Sequence, residues 1–338
     1  LLTTVGFQGS LALSAQLVTP AIAAEETPSN TPIDLELNAQ TDRATSMPSD
    51  RTQSDDPVGD SRVPVGLDER VPVLNREFPW SAIGRLEWQY EGQIISTCTA
   101  TLIDADLLLT NSHCLMLPRR NDQTGETTPA FVNPEQYERI QAEGDGELKI
   151  VFKPSMINGI ALDEANVVTY QAGWSNEANG ATEDWAVLQI DADLGEQYGY
   201  LGWRNLDLEN NNVLGALSEN TLLAGYSGDF PTAGLSEFGE PSDTAGVDLA
   251  CSILGIAPEG VLADTIIHDC DTNPGASGAP ILAEFADGDY YIIGLHARQV
   301  PLNRTATLPN GVETEVLNGG VRVSNWAPTA FQMISSVR

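Results

Sequence analysis

Positive charge is scarce in this chain. Its 338 residues hold 16 Lys and Arg against 48 Asp and Glu, a formal net charge of -32, and the only lysines are Lys149 and Lys153. A phosphate backbone demands a basic footprint, so nucleic-acid binding is excluded. Docking on an anionic membrane face is excluded on the same ground. Histidine is as sparse: any imidazole chemistry must use His113, His268 or His296. No Cys-x-x-Cys, His-Glu-x-x-His or EF-hand spacing occurs, so no metal and no cofactor is expected. An acid-rich, lysine-poor surface otherwise reads as a solubility or salt-tolerance feature. The hydrophobic share of 41% is enough for a real core.

Long apolar runs are also missing. Residues 1–24 are apolar but broken by Gln8, Ser10, Ser14 and Gln16, too short for a span. They end in Pro20-Ala21-Ile22-Ala23-Ala24, which resembles a signal-peptidase site without its basic n-region. A truncated signal segment is therefore expected, with secretion to the periplasm or outside and no stable membrane span in the mature form. Residues 25–62 are rich in Thr, Ser, Pro and Asp and carry 3 basic against 9 acidic residues. They read as a disordered linker or pro-segment. The remaining 63–338 keeps 13 basic and 39 acidic residues, or -26.

From about Phe78 the pattern is many short apolar strands separated by turns, ending in a helical stretch over Ser324–Val337 with Pro328 in its first turn. An all-β sandwich or pair of barrels with a C-terminal helix is expected. Residues 118–147 and 227–245 read as polar surface loops.

Three segments concentrate the chemistry. In the first, Cys98 to Cys114, an apolar strand delivers Thr110-Asn111-Ser112-His113-Cys114. The four cysteines allow three pairings. A Cys98–Cys114 bridge would pin the loop bearing His113, worth about 3 kcal/mol on the chain-entropy account. Cys251 and Cys270 read as a second bridge, given export. In the second, Glu183-Asp184 stands at the mouth of the apolar strand Trp185–Ile190. A carboxylate there can hold an imidazole tautomer. Asp163 or Asp191 could serve instead. The third is Asp269-Cys270-Asp271-Thr272-Asn273-Pro274-Gly275-Ala276-Ser277-Gly278-Ala279-Pro280. Small residues around Ser277 suit an exposed nucleophile on a tight turn. The amides of Gly275 and Ser277 could form an oxyanion hole.

On these segments the chain resembles the chymotrypsin-like serine proteases, nearest the bacterial branch containing the glutamyl endopeptidases. The order His113, Asp184, Ser277 is that of the fold; an α/β-hydrolase runs Ser, Asp, His. Val65-Gly66-Leu67-Asp68-Glu69-Arg70 is similar to the family's mature N-terminal region, and Ile293-Gly294-Leu295-His296 with Asn318-Gly319-Gly320-Val321 to its pocket walls. The resemblance implies two six-stranded antiparallel β-barrels over 63–338 and a monomer acting on proteins or peptides. It also implies acyl transfer, with Ser277 as nucleophile, His113 as general base and Asp184 as its support.

The chain departs from the family at Ala276, at Ala279, which replaces a commoner glycine, and at Arg298. Trypsin-type members place aspartate before the serine to pair with a freed N-terminus; here Ala276 stands there. Asp271 lies six residues before Ser277, where trypsin-like enzymes recognise Arg or Lys. Thr272 and His296 match positions that glutamyl endopeptidases use for an acidic side chain. The two specificities stay open. Arg298 stands where glycine is expected, either at the substrate pocket or as a plain surface arginine. His268 reads as structural. Removal of everything to Arg62 would leave Val63 as the mature start of a processed zymogen. Two other readings of the same fold are a non-catalytic binding protein and an esterase.

Overall fold

The computed structural model describes residues 41–47, 68–120, 125–144, 147–175, 180–258, 260–308 and 313–337. The expected signal segment, Val63 and Val65–Leu67 lie outside the described residues.

In chain order the elements are β1 (Val71–Pro72), β2 (Ile83–Tyr90), β3 (Gln93–Leu102), β4 (Leu107–Thr110), β5 (Met116–Arg120), β6 (Thr127–Phe131), α1 (Pro134–Glu143), β7 (Leu148–Pro154), β8 (Ala165–Ala172) and β9 (Ala186–Ile190). Next come α2 (Leu194–Tyr198), β10 (Gly202–Trp203), α3 (Asn211–Leu217), β11 (Thr221–Gly225), β12 (Gly246–Cys251), β13 (Ile253–Ile256), β14 (Ile266–His268), β15 (Pro280–Glu284), β16 (Tyr290–Thr307), β17 (Glu313–Arg322) and α4 (Val323–Val337).

The first half closes as a six-stranded barrel in the order β2-β3-β4-β9-β8-β7. Its β2-β3 hairpin turns on Glu91 and Gly92, both at positive φ, and the two-residue turn fixes the Tyr90–Gln93 register. Strand β2 alternates apolar Leu86 and Trp88 with polar Arg85, Glu87 and Gln89, and all five are buried. The polar set is satisfied internally. Glu87 accepts from Arg85 at 2.6 Å, Gln89 at 2.6 Å and Lys153 at 3.1 Å. Burial alone would raise the Glu87 pKa, but these neighbours outweigh it and hold it below the ordinary carboxylate range.

The second half differs from the expected pair of closed barrels. Its strands form a nine-stranded sheet in the order β1-β12-β11-β15-β16-β17-β14-β13, with β10 pairing β16. Strand β12, next to the end strand β1, is separated in sequence from β13 at the other end by Ser252 alone. The helix α4 begins at Val323, so Pro328 lies inside it, not in the first turn. Trp326 is fully buried edge-on against Trp203, with ring centroids 5.1 Å apart.

Two stretches read as loops or linker carry regular pairing or helix among their described residues. Residues 118–147 contain the β5-β6 hairpin and α1, whose Asn133 and Gln136 form a reciprocal capping box. Within the polar stretch 25–62, Arg43 and Ser46 bridge to Trp203 and Tyr200, and Arg43 pairs with Asp104 at 2.8 Å. Among the described residues no helix is long and apolar enough to cross a membrane.

Candidate active site

His113 sits in a short 3-10 turn, Ser112–Leu115, directly after β4. The turn is fixed on both sides. Cys114 is bonded to Cys98 in β3, and Asn111 Nδ2 donates to the Asp184 carbonyl at 2.7 Å. Ser112 Oγ donates to the Trp185 carbonyl at 2.6 Å. These bonds join the turn to the residues that precede β9. The Asp184 carboxylate consequently meets the imidazole: His113 Nδ1 lies 2.9 Å from Oδ2 and 3.1 Å from Oδ1, and the His113 amide donates to Oδ1 at 3.0 Å. Asp184 is 1% exposed, so an ionised carboxylate there depends on these donors. The alternatives are engaged elsewhere. Asp163 accepts from Gln197 and Tyr198, and Asp191 accepts from Asn166.

The turn bearing Ser277 comes from the second half. Its carbonyl accepts from the Thr99 amide at 2.8 Å, and Cys114 Sγ lies 3.8 Å from the same oxygen. The sulfurs of Cys98 and Cys114 and a His113 ring nitrogen all fall within 4.8 Å of one another. The disulfide thus lies close to both the imidazole and the Ser277 backbone. With both sulfurs bonded, this cluster offers no thiolate to a metal ion.

Glycine is required twice in this turn. Gly275 has φ +104°, and a Cβ there would come within 2.5 Å of the Tyr226 carbonyl. A Cβ on Gly278, at φ +84°, would meet the Thr99 carbonyl at 2.1 Å. The amides of Ala276, Gly278 and Ala279 donate to Asn273, His296 and Ala276. Among the described residues, no hydrogen bond engages the amides of Gly275 and Ser277. Two uncommitted donors beside a serine are what an oxyanion site needs.

Ala276 is fully buried, so no carboxylate stands before the serine to take an N-terminal ammonium. Another brace holds the turn. Arg70 donates to both oxygens of Asp229 at 3.0 Å, and Asn273 Nδ2 donates to Asp229 Oδ2 at 2.6 Å. Arg70 belongs to the stretch similar to the family's N-terminal region, but nothing in the sequence linked it to Asp229.

The four expected pocket residues separate. Asp271 and Thr272 line a cavity of about 250 Å³ together with Glu69, Asp248, Asp269 and Asn318. Burial pushes the Asp248 carboxyl up to about 7, with the charges of Asp271 and Asp269 adding to it. Asp269 and Asp271 are raised as well, burial again being the main cause. Asp271 also accepts from the Glu69 amide at 2.7 Å. Thr272 Oγ1 and Asn318 Oδ1 are buried without a partner. His296 instead is 4% exposed, its Nδ1 3.2 Å from His268 Nε2. Burial pushes His268 down to about 3 and His296 well below its ordinary value, so both rings are neutral. Arg298 is not among the residues lining that cavity; its Nη2 bonds Asp184 Oδ2 at 2.6 Å. Trp174, which no motif flagged, packs its ring 6.3 Å from His113. Cys251 and Cys270 form the second disulfide.

A closed barrel presenting histidine and aspartate faces a second sheet presenting serine. The arrangement is one closed six-stranded barrel packed against a mostly antiparallel nine-stranded sheet. No protein-family model matches the sequence, and no curated protein matches it significantly. Among solved structures the chain is similar to a Glu endopeptidase determined in complex with MPD, at 23% identity and TM-score 0.47, covering 77% of this chain and 94% of that one. It is also similar to the protease Anisep from Arthrobacter nicotinovorans, at 14% identity and TM-score 0.46, covering 75% and 96%. A thermostable serine protease, AL20, from an extremophilic microorganism aligns at 13% identity and TM-score 0.45, covering 74% and 97%.

Proposed function

We propose that the chain is a serine endopeptidase that cleaves peptide bonds through His113, Asp184 and Ser277. The observation that carries this reading is the His113–Asp184 pair, locked at 2.9 Å, beside a serine turn with two uncommitted amides. Ser277 Oγ attacks the scissile carbonyl, and His113 Nε2 takes its proton. The oxyanion forms against the amides of Gly275 and Ser277. His113 then protonates the leaving amine, and water repeats the sequence on the acyl-enzyme. Asp184 keeps the Nδ1–H tautomer and supports the imidazolium. Two disulfides favour an oxidising, extracytoplasmic location, with cleavage after Arg62 generating the mature chain.

The substrate preference we infer is Arg or Lys at the cleaved position. Four carboxylates line the cavity beside the turn, together with two unpartnered oxygens, the Thr272 hydroxyl and the Asn318 amide carbonyl. The cluster of carboxylates attracts a cationic side chain and repels a glutamate. The test is cleavage of a randomised peptide library by the full chain. Cuts after Arg and Lys, abolished in Ser277→Ala, are expected. Cuts after Glu or Asp would reverse the preference while leaving the triad intact. Undiminished cleavage in Ser277→Ala would end the peptidase reading.

A further inference from the structure

Arg298 crosses from one half of the molecule to the other. It rises from β16 in the second sheet, and its guanidinium ends on the carboxylate at the mouth of β9 in the barrel. Two local features send it there. Opposite β17, His296 pairs with Gly320 and Arg298 with Gly319, so Ala297 is the extra residue of a β-bulge. A bulge re-aims the side chains that follow it. The pairing partner is also glycine. A Cβ at Gly319 would come within 3.3 Å of Arg298 Cγ, so its absence leaves room for the arginine stem.

Resting on the triad reading above, we propose that Arg298 is a positioning residue: it clamps the Asp184 carboxylate in the orientation that serves His113, and ties the two halves together at that point. Asp184 Oδ2 receives both His113 Nδ1 and Arg298 Nη2. Each oxygen of this buried anion therefore has a donor, Oδ1 being held by the His113 amide. Arginine suits the task because its charge persists at any working pH and its planar fork resists rotation.

The clamp has an electrical consequence. His113 is bonded to Asp184, and Asp184 to Arg298; His296, backed by His268, lies near enough to feel the charges of both His113 and Arg298. The neighbouring rings of Trp174 and Phe131 are uncharged, and Cys98 and Cys114 are locked in a disulfide. Both other histidines stay neutral, so Arg298 is the fixed positive charge opposing protonation of His113. Removing it makes the imidazole easier to protonate and shifts the acid limb of the rate profile upward.

The experiment is kcat and KM from about pH 5 to 9 for full-length wild type, Arg298→Ala, Arg298→Gln and Arg298→Lys, each normalised to fluorophosphonate-titrated sites. Arg298→Ala and Arg298→Gln should raise the acid-limb midpoint by about half to one pH unit. Arg298→Ala should lower kcat about tenfold to a hundredfold with KM little changed. Arg298→Lys should keep the wild-type midpoint and recover part of the rate. An unmoved midpoint in both neutral variants, or an effect confined to KM, would overturn the clamp in favour of a substrate contact. If Arg298→Ala fails to fold, the Gln-against-Lys comparison decides alone. A wild type with no titratable serine would instead defeat the peptidase reading itself.

Discussion

Asn273 hangs from Asp229 by a 2.6 Å hydrogen bond, and Asp229 is gripped in turn by both guanidinium nitrogens of Arg70. The chain just after the expected processing site is thereby wired to the turn that carries Ser277. The Arg70 side chain is 5% exposed, and besides Asp229 it bonds Asp68 at 2.8 Å. Residue 276, an alanine, can form no such ion pair.

Asp229→Ala should therefore loosen the oxyanion turn. The expected loss in kcat/KM is about tenfold to a hundredfold, with smaller change in melting temperature than in rate. Parallel kinetics and thermal unfolding check it; an unchanged rate would make the brace merely architectural.

Glu87 should matter for stability rather than catalysis. Its side chain is wholly buried and neutralises Arg85 and Lys153. Glu87→Ala removes the buried partner shared by Arg85 and Lys153, leaving them the more exposed Asp243 and Glu164, and should cost up to about 3–5 kcal/mol. Denaturant titration measures this directly.

Asp248 should make stability fall as pH rises. Its carboxyl titrates at about 7 in the folded chain against 3.8 in the reference state. Between those values the folded state binds more protons than the unfolded one, so stability declines with rising pH and the penalty is complete above about 7. Asp248→Asn should gain on the order of 2–4 kcal/mol over wild type near pH 8 and almost nothing below pH 4. Urea midpoints of the two proteins at both pH values test the sign.

Much of this architecture was legible in local patterns. Apolar runs bounded by turn residues marked β2, β3, β4 and β9, and the small residues around Ser277 marked its turn. The capping signal Asn133-Pro134-Glu135-Gln136 was present in the sequence, yet α1 was read as loop because the surrounding stretch is polar. The fate of Arg298 depended on a bulge at Ala297 and on which half of the molecule faces it. Neither is encoded within a few residues of the arginine. The nine-stranded sheet that stands in place of the expected second barrel is likewise set by long-range strand pairing. The pairing of His268 with His296 joins two strands 28 residues apart, which spacing alone cannot reveal.

The central claim is that His113, Asp184 and Ser277 act as one unit. Intact-mass and peptide mapping after exposure to a fluorophosphonate tests it most directly. A single adduct on the peptide containing Ser277, lost in Ser277→Ala and nearly lost in His113→Ala, is the predicted result. Labelling that persists in Ser277→Ala, or that ignores the loss of His113, would contradict the account.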